Sequence, residues 1–101
     1  MNSKVDKLYE KISNDKKDVI VFGLSYCEYC KKTLKFLKKN KISFKYYTID
    51  KYYNVFFNIL NDVFKLYPNI GFNPNHKTFP VIFVKKKFIG GYSDIKKIIN
   101  F

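Results

Sequence analysis

The sequence predicts an α/β protein in which a central four-stranded mixed sheet is flanked by helices, formed by one domain over residues 1–101. A predicted strand at residues 18–22, apolar from Val19 onward, is followed by a helical pattern and then by a β-rich segment, which predicts a parallel strand–helix–strand unit. Two short strands near the end of the chain, separated by lysines, predict an antiparallel hairpin. With 101 residues, of which 47% are apolar, the chain can bury one core but has no room for a second domain.

Two helices and a strand are predicted in the first forty residues. Apolar residues recur at helical spacing from Val5 to Ile12, which predicts an amphipathic first helix. The strand predicted at 18–22 has no polar residue after Asp18, which is typical of a central strand buried on both faces. The second helix is expected to end at Asn40, with Tyr29 among the side chains that face inward.

A second strand, a third helix and a loop are predicted in the middle of the chain. Residues 42–49 are rich in β-branched and aromatic residues, which indicates a strand. Asp50 is expected to cap the helix that follows, and this helix should end before Pro68. Residues 69–77 contain glycine and proline, so we expect a surface loop in which His76 is solvated.

The last part of the chain predicts a hairpin and a helix. Residues 80–84 and 88–89 are expected to pair as strands across the lysines between them, and two glycines stop the second strand. The final helix is expected to open at Ser93 or Asp94, with isoleucines on one face. The predicted order of elements is therefore α-β-α-β-α-β-β-α.

The charged residues restrict the classes of partner. The formal net charge is +12, and all 20 basic residues are lysines. Because lysine lacks the guanidinium fork of arginine, we expect diffuse attraction to anions and no specific recognition of nucleic acid. A nucleic-acid-binding module is an alternative that gel shifts at physiological salt would test. No apolar stretch is long enough to span a bilayer and no secretory pattern is seen, so we expect no membrane association and a cytoplasmic location.

The two cysteines, Cys27 and Cys30, lie at the junction of the first predicted strand and the second predicted helix. There the first sulfur meets unpaired backbone N–H groups and the positive end of the helix dipole, which favours the thiolate. Because the thiolate is the form that attacks disulfides, the pair indicates thiol–disulfide exchange in a reducing compartment. A structural zinc site needs about four ligands, more than these cysteines and His76 supply, so no metal is expected.

Three motifs together resemble those of a dithiol glutaredoxin: the Cys27–Cys30 pair, Lys-Thr-Phe-Pro at 77–80 and Gly-Gly-Tyr-Ser-Asp at 90–94. The resemblance extends over essentially the whole chain from residue 18 onward. It implies a thioredoxin-like fold and a glutathione-dependent oxidoreductase that reduces protein–glutathione mixed disulfides and protein disulfides. Cys27 would be the nucleophile and Cys30 the resolving thiol, and together they would form the redox-active disulfide.

The resemblance also implies a glutathione site beside Cys27. The Phe79–Pro80 peptide would be cis, and the backbone of Phe79 would bind an extended peptide. Ser93 and Asp94, at a helix start, would offer N–H groups to an anion and a carboxylate to an ammonium group. The expected glutathione-binding residues are Tyr29, Lys77, Thr78, Phe79, Pro80, Gly91, Tyr92, Ser93 and Asp94.

Two positions depart from the pattern of the family. Glu28 stands where proline is common, and its carboxylate should oppose a thiolate at Cys27. Leu24 stands where many members have a basic residue that meets the glycine carboxylate of glutathione. We therefore assign that contact to Lys77.

A carrier of a [2Fe–2S] cluster is the alternative function within the family. In that case Cys27 from two chains, together with glutathione, would hold a bridging cluster, and visible absorbance after anaerobic purification would reveal it. The leading interpretation is the oxidoreductase. It is expected to act as a monomer on glutathione and on glutathionylated or disulfide-containing proteins.

Overall fold

A four-stranded mixed sheet lies at the centre of the protein, with helices on both of its faces. A computed structural model describes residues 3–14 and 16–99. In chain order the elements are α1 (Ser3–Asn14), β1 (Val19–Gly23), α2 (Glu28–Lys39), β2 (Phe44–Thr48), α3 (Phe56–Leu66), β3 (Val81–Val84), β4 (Lys87–Gly90) and α4 (Tyr92–Ile99). The order of helices and strands predicted from the sequence is confirmed.

The strand order across the sheet is β2-β1-β3-β4. β1 pairs in parallel with β2, with Val21 opposite Tyr46, and antiparallel with β3, with Val21 opposite Ile82. β4 then pairs antiparallel with β3. Because β1 has a strand on each side and helices on both faces, all five of its residues are buried, which explains its apolar sequence.

Alternate residues of β1 contribute to two separate cores. Ile20 and Phe22 belong to the larger core, to which α1 and α3 contribute, whereas Val19 and Val21 belong to the smaller core with α2 and α4. The period of two along a strand accounts for this division. Leu37 anchors α2 in the smaller core, and this packing fixes the position of the helix that begins with the cysteine pair.

Asp50 does not cap α3, contrary to the prediction. It lies in a 3₁₀ turn (Asp50–Tyr52), and α3 begins six residues later at Phe56, after Val55, without a side-chain cap. The carboxylate of Asp50 instead accepts hydrogen bonds from Ser25, in the loop that precedes the cysteine pair. The prediction of a cap failed because the local sequence pattern does not show that Asp50 bonds to Ser25, which is distant in sequence.

The segment between α3 and β3 is anchored in the core. Ile70 and Phe72 are buried, and the ring of Phe72 meets that of Phe88 edge-on at 4.9 Å between centroids. The half-buried ring of His76 also packs on Phe88, and its Nε2 lies 3.4 Å from the carbonyl oxygen of Pro80. The predicted surface loop is confirmed, since most of its residues are exposed, but the prediction that His76 is solvated is wrong because its ring packs on Phe88.

Candidate active site

Cys27 is the N-cap residue of α2. Its backbone is extended, with φ −95° and ψ 121°, and its Sγ accepts the backbone N–H of Cys30 at 3.1 Å. A serine or aspartate oxygen usually makes this bond, so the sulfur here occupies the position of a capping acceptor. Negative charge at this position is stabilised by the unpaired N–H groups and the dipole of the helix. The predicted placement of Cys27 at a strand-to-helix junction is confirmed.

Cys30 lies in the first turn of α2 and is only 1% exposed, whereas Cys27 is half-buried and accessible. Both thiols are free, so the structure represents the reduced form. The pKa of Cys30 is raised to about 12, mainly by burial and then by the neighbouring Cys27. Cys30 is therefore protonated near neutral pH, which suits a thiol that reacts second.

The turn that contains Phe79 and Pro80 faces Cys27. The Phe79–Pro80 peptide is cis, as predicted, and the carbonyl oxygen of Phe79 lies 3.9 Å from Cys27 Sγ. The ring of Phe79 packs on that of Phe57, with centroids 5.1 Å apart, which holds the turn against α3. Pro80 is buried, while Thr78 is exposed at the rim of the site. An extended ligand on this turn would therefore lie next to the accessible sulfur.

The turn between β4 and α4 lies beside the proline turn. A side chain at Gly91 would begin 3.5 Å from the carbonyl oxygen of Pro80. The backbone N–H of Gly91 donates to Asp94 Oδ2 at 2.9 Å, so Asp94, the third residue of α4, makes one of the two hydrogen bonds of a capping box. α4 begins at Tyr92, one residue before the predicted start, which places Ser93 and Asp94 within its first turn. The N-terminus of α4 therefore lies next to the proline turn.

Two tyrosines form an aromatic wall beside the cysteine pair. The rings of Tyr29 and Tyr92 lie 6.1 Å apart between centroids, and Lys32 and Lys96 each place an ammonium group over one of them, at 5.1 and 5.2 Å. Tyr29 is 57% exposed, so the prediction that it faces inward is wrong. The buried stripe of α2 runs through Cys30, and Tyr29 precedes this residue outside the stripe. Its exposed ring is available to a ligand.

The charged residues near Cys27 lie at the surface. The carboxylate of Glu28 is 3.8 Å from the ammonium group of Lys31, and both side chains are largely exposed. An exposed pair of this kind contributes little stability, about 0 to 1 kcal/mol. Lys77 is exposed just before the proline turn, whereas Leu24 is buried in the core and is not available as a surface contact.

Sequence reasoning missed a group of residues beneath the cysteine pair. The hydroxyl of Tyr46 donates to the carbonyl oxygen of Leu24 at 2.8 Å, and Gly23 lies against both Tyr46 and Cys30. Because side chains alternate along a strand, Tyr46 shares a face of β2 with Phe44. Only the pairing of β2 with β1 determines that this face meets the first turn of α2.

Residues 3–14 and 16–99 contain neither a cluster of metal-ligating side chains nor a helix that could span a membrane. No group of three or more histidine, cysteine, aspartate or glutamate side chains in this part of the chain is arranged to hold a metal ion. No helix formed by these residues has both the length and the apolar character needed to cross a membrane.

Comparisons with known proteins agree with this geometry. A family model described as Glutaredoxin matches residues 19–89. The chain is 35% identical over 104 residues to a probable glutaredoxin of Acanthamoeba polyphaga mimivirus, with 99% of this chain and 95% of that protein covered.

Solved structures share the fold. The solution structure of a dithiolic glutaredoxin from Trypanosoma brucei brucei matches with a TM-score of 0.65 at 25% identity, covering 99% of this chain and 89% of that one. The crystal structure of a buckwheat glutaredoxin–glutathione complex matches with a TM-score of 0.67 at 17% identity, covering 93% and 76%.

The predicted thioredoxin-like fold is thus confirmed, as is the resemblance on which it was based. The pair Cys27 and Cys30, one exposed enough to react and one buried, fits the dithiol type. The chain belongs to the glutaredoxin family of thiol–disulfide oxidoreductases.

Proposed function

We propose that this glutaredoxin uses glutathione as its co-substrate and reduces protein–glutathione mixed disulfides and protein disulfides. The main support is the position of Cys27 Sγ, which caps α2 and lies 3.9 Å from the Phe79 carbonyl oxygen. A peptide thiol laid along the Phe79–Pro80 turn would bring its sulfur to Cys27 while its backbone bonds to the turn. The family uses glutathione, and the buckwheat relative was solved as a glutathione complex.

The proposed reaction is two successive thiol–disulfide exchanges. The thiolate of Cys27 attacks the glutathionyl sulfur of the mixed disulfide; a Cys27–glutathione disulfide forms, and the substrate protein leaves as a thiolate that takes up a proton. A second glutathione thiolate then attacks the glutathionyl sulfur, which releases glutathione disulfide and the Cys27 thiolate. Alternatively, Cys30 attacks Cys27 Sγ, which releases glutathione and closes the Cys27–Cys30 disulfide. Two further glutathione thiols then reduce this disulfide in two exchanges, which restores both enzyme thiols and releases glutathione disulfide.

The groups around Cys27 match the two ends of glutathione. We assign Lys77 to the glycine carboxylate, and the backbone of Phe79 to the cysteine of the ligand. The γ-glutamyl end carries a carboxylate and an ammonium group, which suit the N-terminus of α4 at Ser93 and the carboxylate of Asp94. A carboxylate accepts several hydrogen bonds, so Asp94 can serve both the Gly91 N–H and the ligand.

Lysines at the rim of the site support the choice of an anionic ligand. Lys96 and Lys97 line an open depression together with Tyr92 and Ser93, at the expected γ-glutamyl end. With a net charge of +12, the protein would attract anionic glutathione and acidic proteins at long range, and added salt would weaken this attraction. We propose that the enzyme acts as a monomer in the cytoplasm, where a reduced glutathione pool would regenerate it.

A coupled turnover assay with a glutathione mixed disulfide tests the proposal. The Cys27→Ser variant should lose turnover completely. The Cys30→Ser variant should retain the reduction of glutathione mixed disulfides but lose the reduction of a protein disulfide, because only the second reaction needs two thiols in the enzyme. Absence of glutathione-dependent turnover in the wild type, or turnover that survives Cys27→Ser, would refute it.

A further inference from the structure

Tyr46 lies beneath the cysteine pair, at a contact that the proposed function does not use. An ideal Cβ built on Gly23 would lie 2.5 Å from the Tyr46 hydroxyl oxygen and 2.7 Å from Cys30 Sγ. The Tyr46 hydroxyl and the Cys30 sulfur therefore both lie where a side chain at Gly23 would be, and glycine has no side chain to separate them. In the reduced form the hydroxyl proton points to the carbonyl oxygen of Leu24, at 2.8 Å.

The hydrogen-bond donors beside Cys30 Sγ can stabilise this sulfur when it loses its proton and becomes charged. Burial raises the pKa of Cys30, but the Leu24 backbone and the Tyr46 hydroxyl lower it, because each can donate a hydrogen bond to the charged sulfur. The pKa of Tyr46 is also raised, first by burial and then by Cys30, so its hydroxyl keeps its proton and remains a donor. The other titratable groups that act on Tyr46 here are Cys27 and Asp50.

We propose that Tyr46 is a positioning residue for Cys30. When the Cys30 sulfur attacks, the Tyr46 hydroxyl turns from the Leu24 carbonyl oxygen to that sulfur. Cys30 first loses its proton to solvent, and its thiolate then attacks Cys27 Sγ in a mixed disulfide. The Cys27–Cys30 bond forms, the bond from Cys27 to the substrate sulfur breaks, and the departing thiolate takes a proton from solvent. The enzyme dithiol is oxidised and the substrate is reduced.

This role is independent of glutathione, since Cys30 attacks a mixed disulfide of Cys27 in the same way whichever thiol the substrate supplied. We expect Tyr46 to affect only the second exchange, the attack of Cys30 on Cys27, because Cys27 itself is activated by the N-terminus of α2. A hydrogen bond to a charged group contributes enough that its loss should slow this step roughly tenfold.

The test uses the aromatic disulfide dithiobis(nitrobenzoate) and no glutathione. The reagent reacts with Cys27 and releases one coloured thiol; attack by Cys30 then releases a second, so rapid mixing resolves the two steps. In Tyr46→Phe we expect the second release to slow roughly tenfold near neutral pH and its alkaline rise to move to higher pH. The first release should stay within about twofold of the wild type.

Two controls define the result. Tyr47→Phe, at the neighbouring position of β2, should leave both steps unchanged, and Cys30→Ser should abolish the second release. Gly23→Ala, whose methyl group would press on both the hydroxyl oxygen and Cys30 Sγ, should also slow the second step. An unchanged second step and pH profile, or equal slowing of both steps, would overturn the proposal.

Discussion

The carboxylate of Asp50 accepts two hydrogen bonds from Ser25, one from its backbone N–H at 3.0 Å and one from its hydroxyl at 2.5 Å. Ser25 lies in the loop between β1 and Cys27, and Asp50 lies in the turn after β2. The pair therefore ties the loop that presents the nucleophile to the neighbouring strand. Because both residues are exposed, their effect should be on loop position more than on global stability.

We expect Asp50→Ala to slow the reaction of Cys27 with a disulfide roughly two- to fivefold and to lower the free energy of unfolding by about 1 kcal/mol. Rapid-mixing kinetics and denaturant titration measure the two effects. Asp62→Ala, which removes an exposed aspartate of α3, is the matched control and should leave the rate unchanged. Equal rates in both variants would show that the tie to Ser25 does not position the nucleophile.

Alkylation should distinguish the two thiols. Because burial raises the pKa of Cys30 to about 12, its thiolate is scarce at neutral pH, whereas Cys27 is accessible at the N-terminus of α2. Iodoacetamide near neutral pH should label Cys27 alone, and labelling of Cys30 should become faster as the pH rises toward its pKa. Peptide mass spectrometry measures this order, and comparable labelling of both residues at neutral pH would contradict it.

Glu28 should moderate the nucleophile. Its carboxylate adjoins Cys27 in sequence and occupies the first position of α2, where proline is well tolerated. We expect Glu28→Pro to speed alkylation of Cys27 near neutral pH about two- to fivefold, since a nearby like charge is removed. Glu28→Gln isolates the charge effect from the backbone effect. A rate that is unchanged or slower in Glu28→Pro would show that the prediction is wrong.

Asp94 should have two separable roles. Asp94→Ala removes the acceptor for the Gly91 N–H and should lower the free energy of unfolding by about 1 kcal/mol. Asp94→Asn keeps an acceptor oxygen but loses the charge, so it should retain most of that stability. If the carboxylate binds the ammonium group of glutathione, both variants should raise the KM for glutathione. A normal KM in Asp94→Asn would limit this residue to capping.

Lys77 should contribute to glutathione binding through its charge. Lys77→Ala should raise the KM for glutathione about two- to fivefold, since an exposed ion pair contributes at most about 1 kcal/mol. Lys65→Ala, which removes an exposed lysine of α3, changes the net charge equally and serves as the control. Steady-state kinetics at two salt concentrations separates local from long-range attraction. Equal KM values for glutathione in the two variants would show that Lys77 makes no specific contribution to glutathione binding.

The sequence by itself determined the order of the elements and the chemical character of the site. The continuous apolar run of β1 indicated a strand buried on both faces, and the period of 3.6 residues after it indicated α2, so both elements were evident. Cys27 and Cys30 lie at the junction of these two elements, so their capping geometry follows from adjacent residues. The cis proline turn was inferred from the resemblance to a family.

The tertiary structure decided every contact between residues distant in sequence. Cys27 meets Phe79 across 52 positions, and Asp50 meets Ser25 across 25, so no local pattern identifies either pair. The place of Tyr46 beneath Cys30 depends on the parallel register of β2 with β1, since a shift of one residue would turn Tyr46 to the other face. Local periodicity fixes which face of an element is buried, but only packing fixes what that face meets.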